Sequence, residues 1–212
     1  MKIKRFVFNP FQENTFVLYD ESKECIIIDP GCYEKEEQVK LEEFISKNKL
    51  NPVALLNTHC HIDHILGNQF VADKWGIELQ MHKKDLLLLE NAGAVSKMYD
   101  LENYSGSPYP KCFLEDSDII SFGESKLEVL FTPGHSPGHI CFYSKKNNFI
   151  VSGDVIFQMS IGRTDLPFAD YDILIKSITE RIFPLPGEVQ IYCGHGPTTV
   201  LSYEREHNPF LQ

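Results

Sequence analysis

No stretch of this chain is apolar for anything near the 18 residues that a membrane-crossing helix needs, so no transmembrane segment is expected. The opening MKIKRFVFNP carries basic side chains but no apolar core or cleavage site behind them, so a secretory leader is not expected either. Cysteine is sparse. The residues at 25, 32, 60, 112, 141 and 193 form no Cys-x-x-Cys pair, which excludes a disulfide scaffold. Most lie in apolar runs and are expected as free thiols in a reducing, cytoplasmic setting. Positive charge is also short: 20 Lys and Arg stand against 30 Asp and Glu, a net charge of −10. With no basic stripe to offset that balance, a nucleic-acid partner is not expected, and neither is a membrane. Repeats, low-complexity tracts and linkers are absent, so a single domain of mixed sheets and helices is expected over 212 residues.

What is present alternates short strands with amphipathic helices. Residues 3–8, 15–19 and 25–29 read as three successive strands, the last closed by Asp29-Pro30-Gly31. Residues 34–48 read as a helix, with acids in the first turn and Leu41, Phe44 and Ile45 on one face. Residues 53–57 form a continuous apolar run, the mark of a strand buried on both faces. A helix is expected after Gly67, a strand at 78–81 and a helix at 84–90. Residues 91–111 lack a clear period and read as a long loop, either a lid or a surface excursion. Strands resume at 126–131, 139–143 and 148–152. A helix starts near Tyr171 with Ile175, Ile178 and Ile182 on its face. A last strand spans 189–193, and a closing helix spans 199–206.

The segment Thr58-His59-Cys60-His61-Ile62-Asp63-His64 follows the buried strand directly. It gathers three of the chain's 8 histidines with an aspartate. His59 and His61 are two apart, so in extended backbone their imidazoles point to one side and can meet one cation. Asp63 and His64 lie where the chain turns into a helix and project to a neighbouring position. Imidazole with carboxylate suits zinc, with iron and manganese as harder alternatives. Further candidates stand at strand ends beside glycine: His135 in Thr132-Pro133-Gly134-His135, Asp154 in Ser152-Gly153-Asp154, and His195 in Cys193-Gly194-His195-Gly196. Cys60 should point away from its flanking histidines. His82 is expected at the surface, His139 as a support for the nearby loop, and His207 in solvent.

These motifs, taken in order, resemble the metallo-β-lactamase superfamily. The likeness runs from the first strands to His195. It implies an α/β fold, the αββα sandwich of two mixed sheets flanked by helices. It further implies that His59, His61 and His135 hold one metal, that Asp63, His64 and His195 hold the other, and that Asp154 bridges them. Gly153-Asp154-Val155-Ile156-Phe157 and the later Gly162-Arg163-Thr164-Asp165-Leu166-Pro167 resemble the glyoxalase II-like branch, the hydroxyacylglutathione hydrolases. The tail, Gly194-His195-Gly196-Pro197 and then Glu204-Arg205-Glu206-His207-Asn208-Pro209-Phe210, resembles its short bacterial form. The longer enzymes add a C-terminal helical domain that helps bind glutathione. It is expected to be absent here, leaving residues 1–212 as one metallo-β-lactamase domain.

The resemblance implies a binuclear hydrolase with two divalent metal ions, zinc first, acting on a thioester such as S-lactoylglutathione or a related acyl-thiol. A metal-bridging hydroxide would attack the carbonyl, and Asp63 would orient it besides ligating. Arg163 falls where the longer enzymes place a basic residue that holds the glutathione part; an ion pair with Asp165 or Asp170 is the alternative. Two rivals stay open: a mononuclear iron persulfide dioxygenase, and a lactone or β-lactam hydrolase.

Overall fold

Apolar, β-branched runs near the start of the chain build an antiparallel meander in the computed structural model, which describes residues 1–212. Its strands are β1 (Lys2–Phe8), β2 (Glu13–Tyr19) and β3 (Glu24–Ile28). From β3 the sheet turns parallel, through β4 (Asn51–Leu56) and β5 (Leu79–Met81) to β6 (Cys112–Phe113). Helix α1 (Lys35–Lys47) links β3 to β4, with Glu34 as its N-cap. Glu37 reaches back to accept from the Glu34 amide at 3.1 Å, which fixes the first turn. The helix buries Leu41 and Ile45 against Val17, Cys25, Ile27 and Leu55 of the sheet. Short helices α2 (Ile62–Ile65) and α3 (Asn68–Trp75) follow β4, and α4 (Leu86–Met98) follows β5 after a 3-10 turn at Lys83–Asp85.

Helix α4 corrects the expected loop at 91–111. The helix continues past Glu90 to Met98, and only the residues beyond it are irregular. Its inner face is made of Leu89, Ala92 and Ser96, which are buried at helical spacing. Small side chains there leave little hydropathy signal, and Gly93, against which an added Cβ would meet nothing, read as a breaker.

Those elements make one compact unit, Met1–Phe113 with Ser121–Ser125; the second is Leu114–Ile120 with Lys126–Gln212. The second sheet contains β7 (Ile119–Phe122), β8 (Ser125–Phe131), β9 (Ile140–Ser144), β10 (Phe149–Gly153), β13 (Gln190–Cys193) and β14 (Thr199–Val200). Its spatial order is β14-β13-β10-β9-β8-β7. The β10–β13 pair is parallel and its neighbours β9 and β14 are antiparallel to them, so this sheet is mixed too. A separate hairpin joins β11 (Ile156–Phe157) to β12 (Ser160–Ile161). Helix α5 (Tyr171–Ser177) runs on into a wider turn at Ile178–Ile182. Leu174, Ile178 and Ile182 are buried there against Ile150 and Ile191, whereas Ile175 only flanks that core. The closing helix α6 is Leu201–His207; Thr199 and Val200, expected as its first residues, pair with β13 instead. No helix is long and apolar enough to cross a membrane, and all six cysteines are free thiols.

The turn after β2 carries a pH-sensitive anchor. Asp20 accepts from the Ser22 amide (3.0 Å) and hydroxyl (2.5 Å), from the Glu124 amide (2.8 Å) and from the Ser125 hydroxyl (2.7 Å). Burial pushes this carboxyl up, but the hydrogen bonds outweigh it and hold the pKa at about 2 against the usual 3.8. A lowered folded pKa gives stability that is present above the unfolded value and lost as pH falls from about 4 towards 2. Asp20→Asn is expected to flatten that acid-side decline, measured by urea unfolding across the interval. A variant with the wild-type slope would refute the anchor.

Candidate metal centre

Parallel strands β3 and β4 end side by side, and the residues just past their carboxyl ends build the first cluster of candidate ligands. Asp29 leaves β3 with φ 48°, a left-handed backbone that Asp tolerates better than most residues. Its Oδ1 accepts from the Thr58 amide (2.7 Å) and the Asn57 carboxamide (3.3 Å). Its Oδ2 accepts from the Thr58 hydroxyl (2.6 Å) and lies 3.1 Å from His64 Nδ1. These bonds set two imidazole tautomers. The Thr58 hydroxyl donates to Asp29, so at 3.1 Å from His59 Nδ1 it accepts from that ring. His64 Nδ1–H likewise donates to Asp29. Both rings then present a lone pair at Nε2, the form a metal ligand needs.

His59 and His61 share a side, as their spacing predicts, with ring centroids 4.8 Å apart; His59 and His64 are 4.1 Å apart. His64 Nε2 faces Asp63 Oδ2 at 3.7 Å. Asp29, His59 and His64 offer ligand atoms within 4.8 Å of one another, but the bonds just given employ Asp29 as the support of the two rings. Asn9 ties the chain down by donating to the carbonyls of Asp63 (2.9 Å) and Gly31 (3.0 Å). Gly31 must be glycine, because a Cβ there would lie 2.2 Å from Glu13 Oε2.

Cys60 points the other way, as expected. Its Sγ lies 3.5 Å from Met81 Sδ in the core, and burial pushes its thiol up, which leaves it no nucleophilic form. Its amide donates to the buried Asp85 carboxylate at 2.9 Å, which fixes the backbone between His59 and His61.

A second cluster lies wholly in the second unit. The His135 Nδ1–H donates to the Arg163 carbonyl at 2.8 Å, so its Nε2 also carries a lone pair. That Nε2 faces Asp154 Oδ2 at 3.5 Å, and His195 Nε2 approaches the same oxygen at 3.5 Å. Imidazole nitrogens and a carboxylate oxygen 3.5 Å apart in a mostly buried place can share a cation set between them. The donor set therefore fits a divalent metal. His139 supports it, as expected: its Nε2 accepts from the Asp154 amide at 3.1 Å, and its Nδ1 lies 3.2 Å from the Thr132 hydroxyl.

One expectation changes. His82 is buried, not exposed: its Nδ1 accepts from the Lys84 amide at 3.2 Å and caps the 3-10 turn. The Arg163 side chain forms a two-pronged ion pair with Asp165, both bonds 2.7 Å, which holds the Asp165 carboxyl at about 2. His207 is exposed as expected, its ring stacked on Tyr203 at 4.5 Å.

Sequence reading missed Asp29, Asp85 and Glu13. Glu13 is fully buried, and that burial pushes its carboxyl well above the usual range; its Oε1 lies 3.9 Å from His64 Nδ1. The run Gln12-Glu13-Asn14-Thr15 at the head of a buried strand was the signal available for it.

The profile of the Metallo-beta-lactamase superfamily matches residues 8–195. Hydroxyacylglutathione hydrolase GloC of Haemophilus influenzae is 34% identical over 212 residues, which cover 100% of this chain and 98% of that protein. The crystal structure of BLEG-1 B3 metallo-beta-lactamase is 36% identical with a TM-score of 0.91, covering 100% of both chains. That of TTHA1623 in a di-iron-bound form is 35% identical with a TM-score of 0.88, covering 98% of this chain and 100% of the other. This chain shares their fold, two mixed sheets flanked by helices.

Proposed function

The chain belongs to the metallo-beta-lactamase superfamily as a metal-dependent hydrolase, and we propose that its substrate is an acyl thioester, S-lactoylglutathione or a related acyl-thiol. In this reading His59, His61 and His135 hold one divalent ion, Asp63, His64 and His195 hold a second, and Asp154 serves both. In this reading residues 1–212 act as one catalytic domain; the family match over residues 8–195 supports this. Zinc is the first expectation. The di-iron form of a relative that is 35% identical supports a two-metal site and makes iron its rival. The observation that carries the reading is the Asp154 carboxylate, whose Oδ2 lies 3.5 Å from the Nε2 atoms of both His135 and His195.

Two divalent ions in such a site supply Lewis acidity, which polarises a carbonyl and makes water a nucleophile near neutral pH. The chain's own groups do the rest. Asp63, only partly buried, accepts a hydrogen bond from the attacking water and aims it at the thioester carbon. The carbon–sulfur bond breaks and the thiolate leaves without help from a protein nucleophile, since the Cys60 thiol is buried in the core. Arg163 holds a substrate carboxylate by exchanging it for Asp165. That exchange costs little, because water screens an exposed ion pair.

The test is metal content by mass spectrometry on protein purified without added metal, with S-lactoylglutathione hydrolysis assayed on the same sample. About two metals per chain with thiol release is expected. One iron per chain with no thiol release, and oxygen uptake on glutathione persulfide, would overturn the reading in favour of a dioxygenase. β-Lactam hydrolysis is a second reading, favoured by the likeness to BLEG-1, and turnover of a cephalosporin in place of the thioester would establish it. Arg163→Ala is expected to raise KM about tenfold, or about 1.4 kcal/mol, with kcat and thermal stability little changed. An unchanged KM would remove Arg163 from substrate binding.

A further inference from the structure

The tail motif that begins at Glu204 finds its use in the hydrogen bonds of α6. Glu204 is fully buried, and no cation is among its recorded partners. Its Oε1 accepts from the Thr199 hydroxyl at 2.5 Å. Its Oε2 accepts from the Met159 amide and from the Asn208 carboxamide, both at 2.9 Å. The same carboxamide, also fully buried, donates to the Ser160 carbonyl at 2.9 Å and reaches the Phe157 carbonyl at 3.5 Å. The two side chains thus grip three positions, Phe157, Met159 and Ser160, around the turn of the β11–β12 hairpin. Met159 is the residue of that turn that needs gripping, since its φ of 58° is left-handed and it is not glycine.

The hairpin lies between two elements of the proposed centre. Asp154 precedes it. Gly162 and Arg163 follow it, and the Arg163 carbonyl accepts from His135 Nδ1 at 2.8 Å. Gly162 leaves no slack: a Cβ there would lie 1.9 Å from the Asp154 carbonyl oxygen and 3.0 Å from His135 Nδ1. A displaced hairpin therefore moves the carbonyl that sets the His135 tautomer and the backbone that carries Asp154.

We propose that Glu204 and Asn208 are positioning residues: from α6 they lock the Ile156–Ile161 hairpin and so hold His135 and Asp154 in the form and place that a metal requires. The inference rests on the metal centre proposed above. A merely structural latch would stabilise the fold without any special effect on metal, and Arg205 supplies the comparison. It lies on the same helix, but its guanidinium donates to the carbonyls of Phe183 and Leu185, away from the hairpin.

The experiment measures zinc affinity of the purified full chain by competition with a chromophoric chelator. The samples are wild type, Asn208→Ala, the near-isosteric Glu204→Gln, and Arg205→Ala, each checked for folding by thermal melt. Orienting partners of metal ligands are worth about 10–100-fold in affinity. A loss of that size is expected for the first two variants and none for Arg205→Ala. The imidazole nitrogen signals of His135, read without metal, are expected to show a protonated Nδ1 in wild type and a mixed tautomer in Asn208→Ala. Wild-type affinity in both hairpin variants, or an equal loss in Arg205→Ala at a similar melting temperature, would overturn the inference alone. A wild-type chain that binds no zinc would overturn the metal centre and this inference with it.

Discussion

Asp154→Ala is expected to lose bound metal and thioester hydrolysis together, with kcat/KM down by at least about a thousandfold. A metal acting as Lewis acid contributes several kcal/mol to transition-state stabilisation, and each 1.36 kcal/mol is tenfold in rate, so about 4 kcal/mol gives that factor. Without metal, the Asp154 carboxylate lies 3.5 Å from the Nε2 atoms of His135 and His195. Adding zinc at about 100 times its dissociation constant should stabilise the wild type by about 2.7 kcal/mol and the variant by nearly nothing. His59→Ala is expected to show the same joint loss. Full activity in either variant with no bound metal would sink the mechanism.

The parts of this molecule that were legible in the sequence are those governed by local pattern. Helix α1 was readable because acids fill its first turn and its apolar residues recur at helical spacing. The pairing of His59 with His61 was readable because extended backbone returns side chains to one face every second residue. The inward turn of Cys60 follows from the same alternation. What stayed hidden depends on partners distant along the chain. Asp29-Pro30-Gly31 read as a turn ending a strand, yet the Asp29 carboxylate acts on His64, 35 positions later. His82 looked polar and exposed beside Lys83 and Lys84, and only the local fold reveals that its ring caps a buried turn. The β11–β12 hairpin has two residues in each strand, too few to show a period. The tail was recognised as a pattern, but its purpose appears only once Glu204 is seen holding the Met159 amide, 45 positions earlier.

Replacing Asp29 should separate stability from metal binding. Asp29→Ala removes the acceptor for four donors: the Thr58 amide and hydroxyl, His64 Nδ1 and the Asn57 carboxamide. All of these groups are buried, and a buried donor left without its acceptor costs about 1–3 kcal/mol. Alanine must also adopt φ 48°, which costs about 1 kcal/mol more. A loss of about 4 kcal/mol or more is expected in urea unfolding, a large share of the roughly 5–15 kcal/mol that holds a domain together. Asp29→Asn is the informative partner. Asn accepts the left-handed backbone, and its carbonyl oxygen still receives the Thr58 amide, so most of the stability should remain. Its NH2 now stands where Oδ2 stood, 3.1 Å from His64 Nδ1, and a donor there forces that nitrogen to accept. The imidazole proton moves to Nε2, the atom that should bind metal. The expected outcome is a folded protein that binds zinc about 10–100-fold more weakly, with the His64 tautomer reversed in its imidazole nitrogen spectrum. If Asp29→Asn binds zinc as tightly as wild type with the tautomer unchanged, Asp29 is a prop for the Thr58 turn and does not set the His64 ligand.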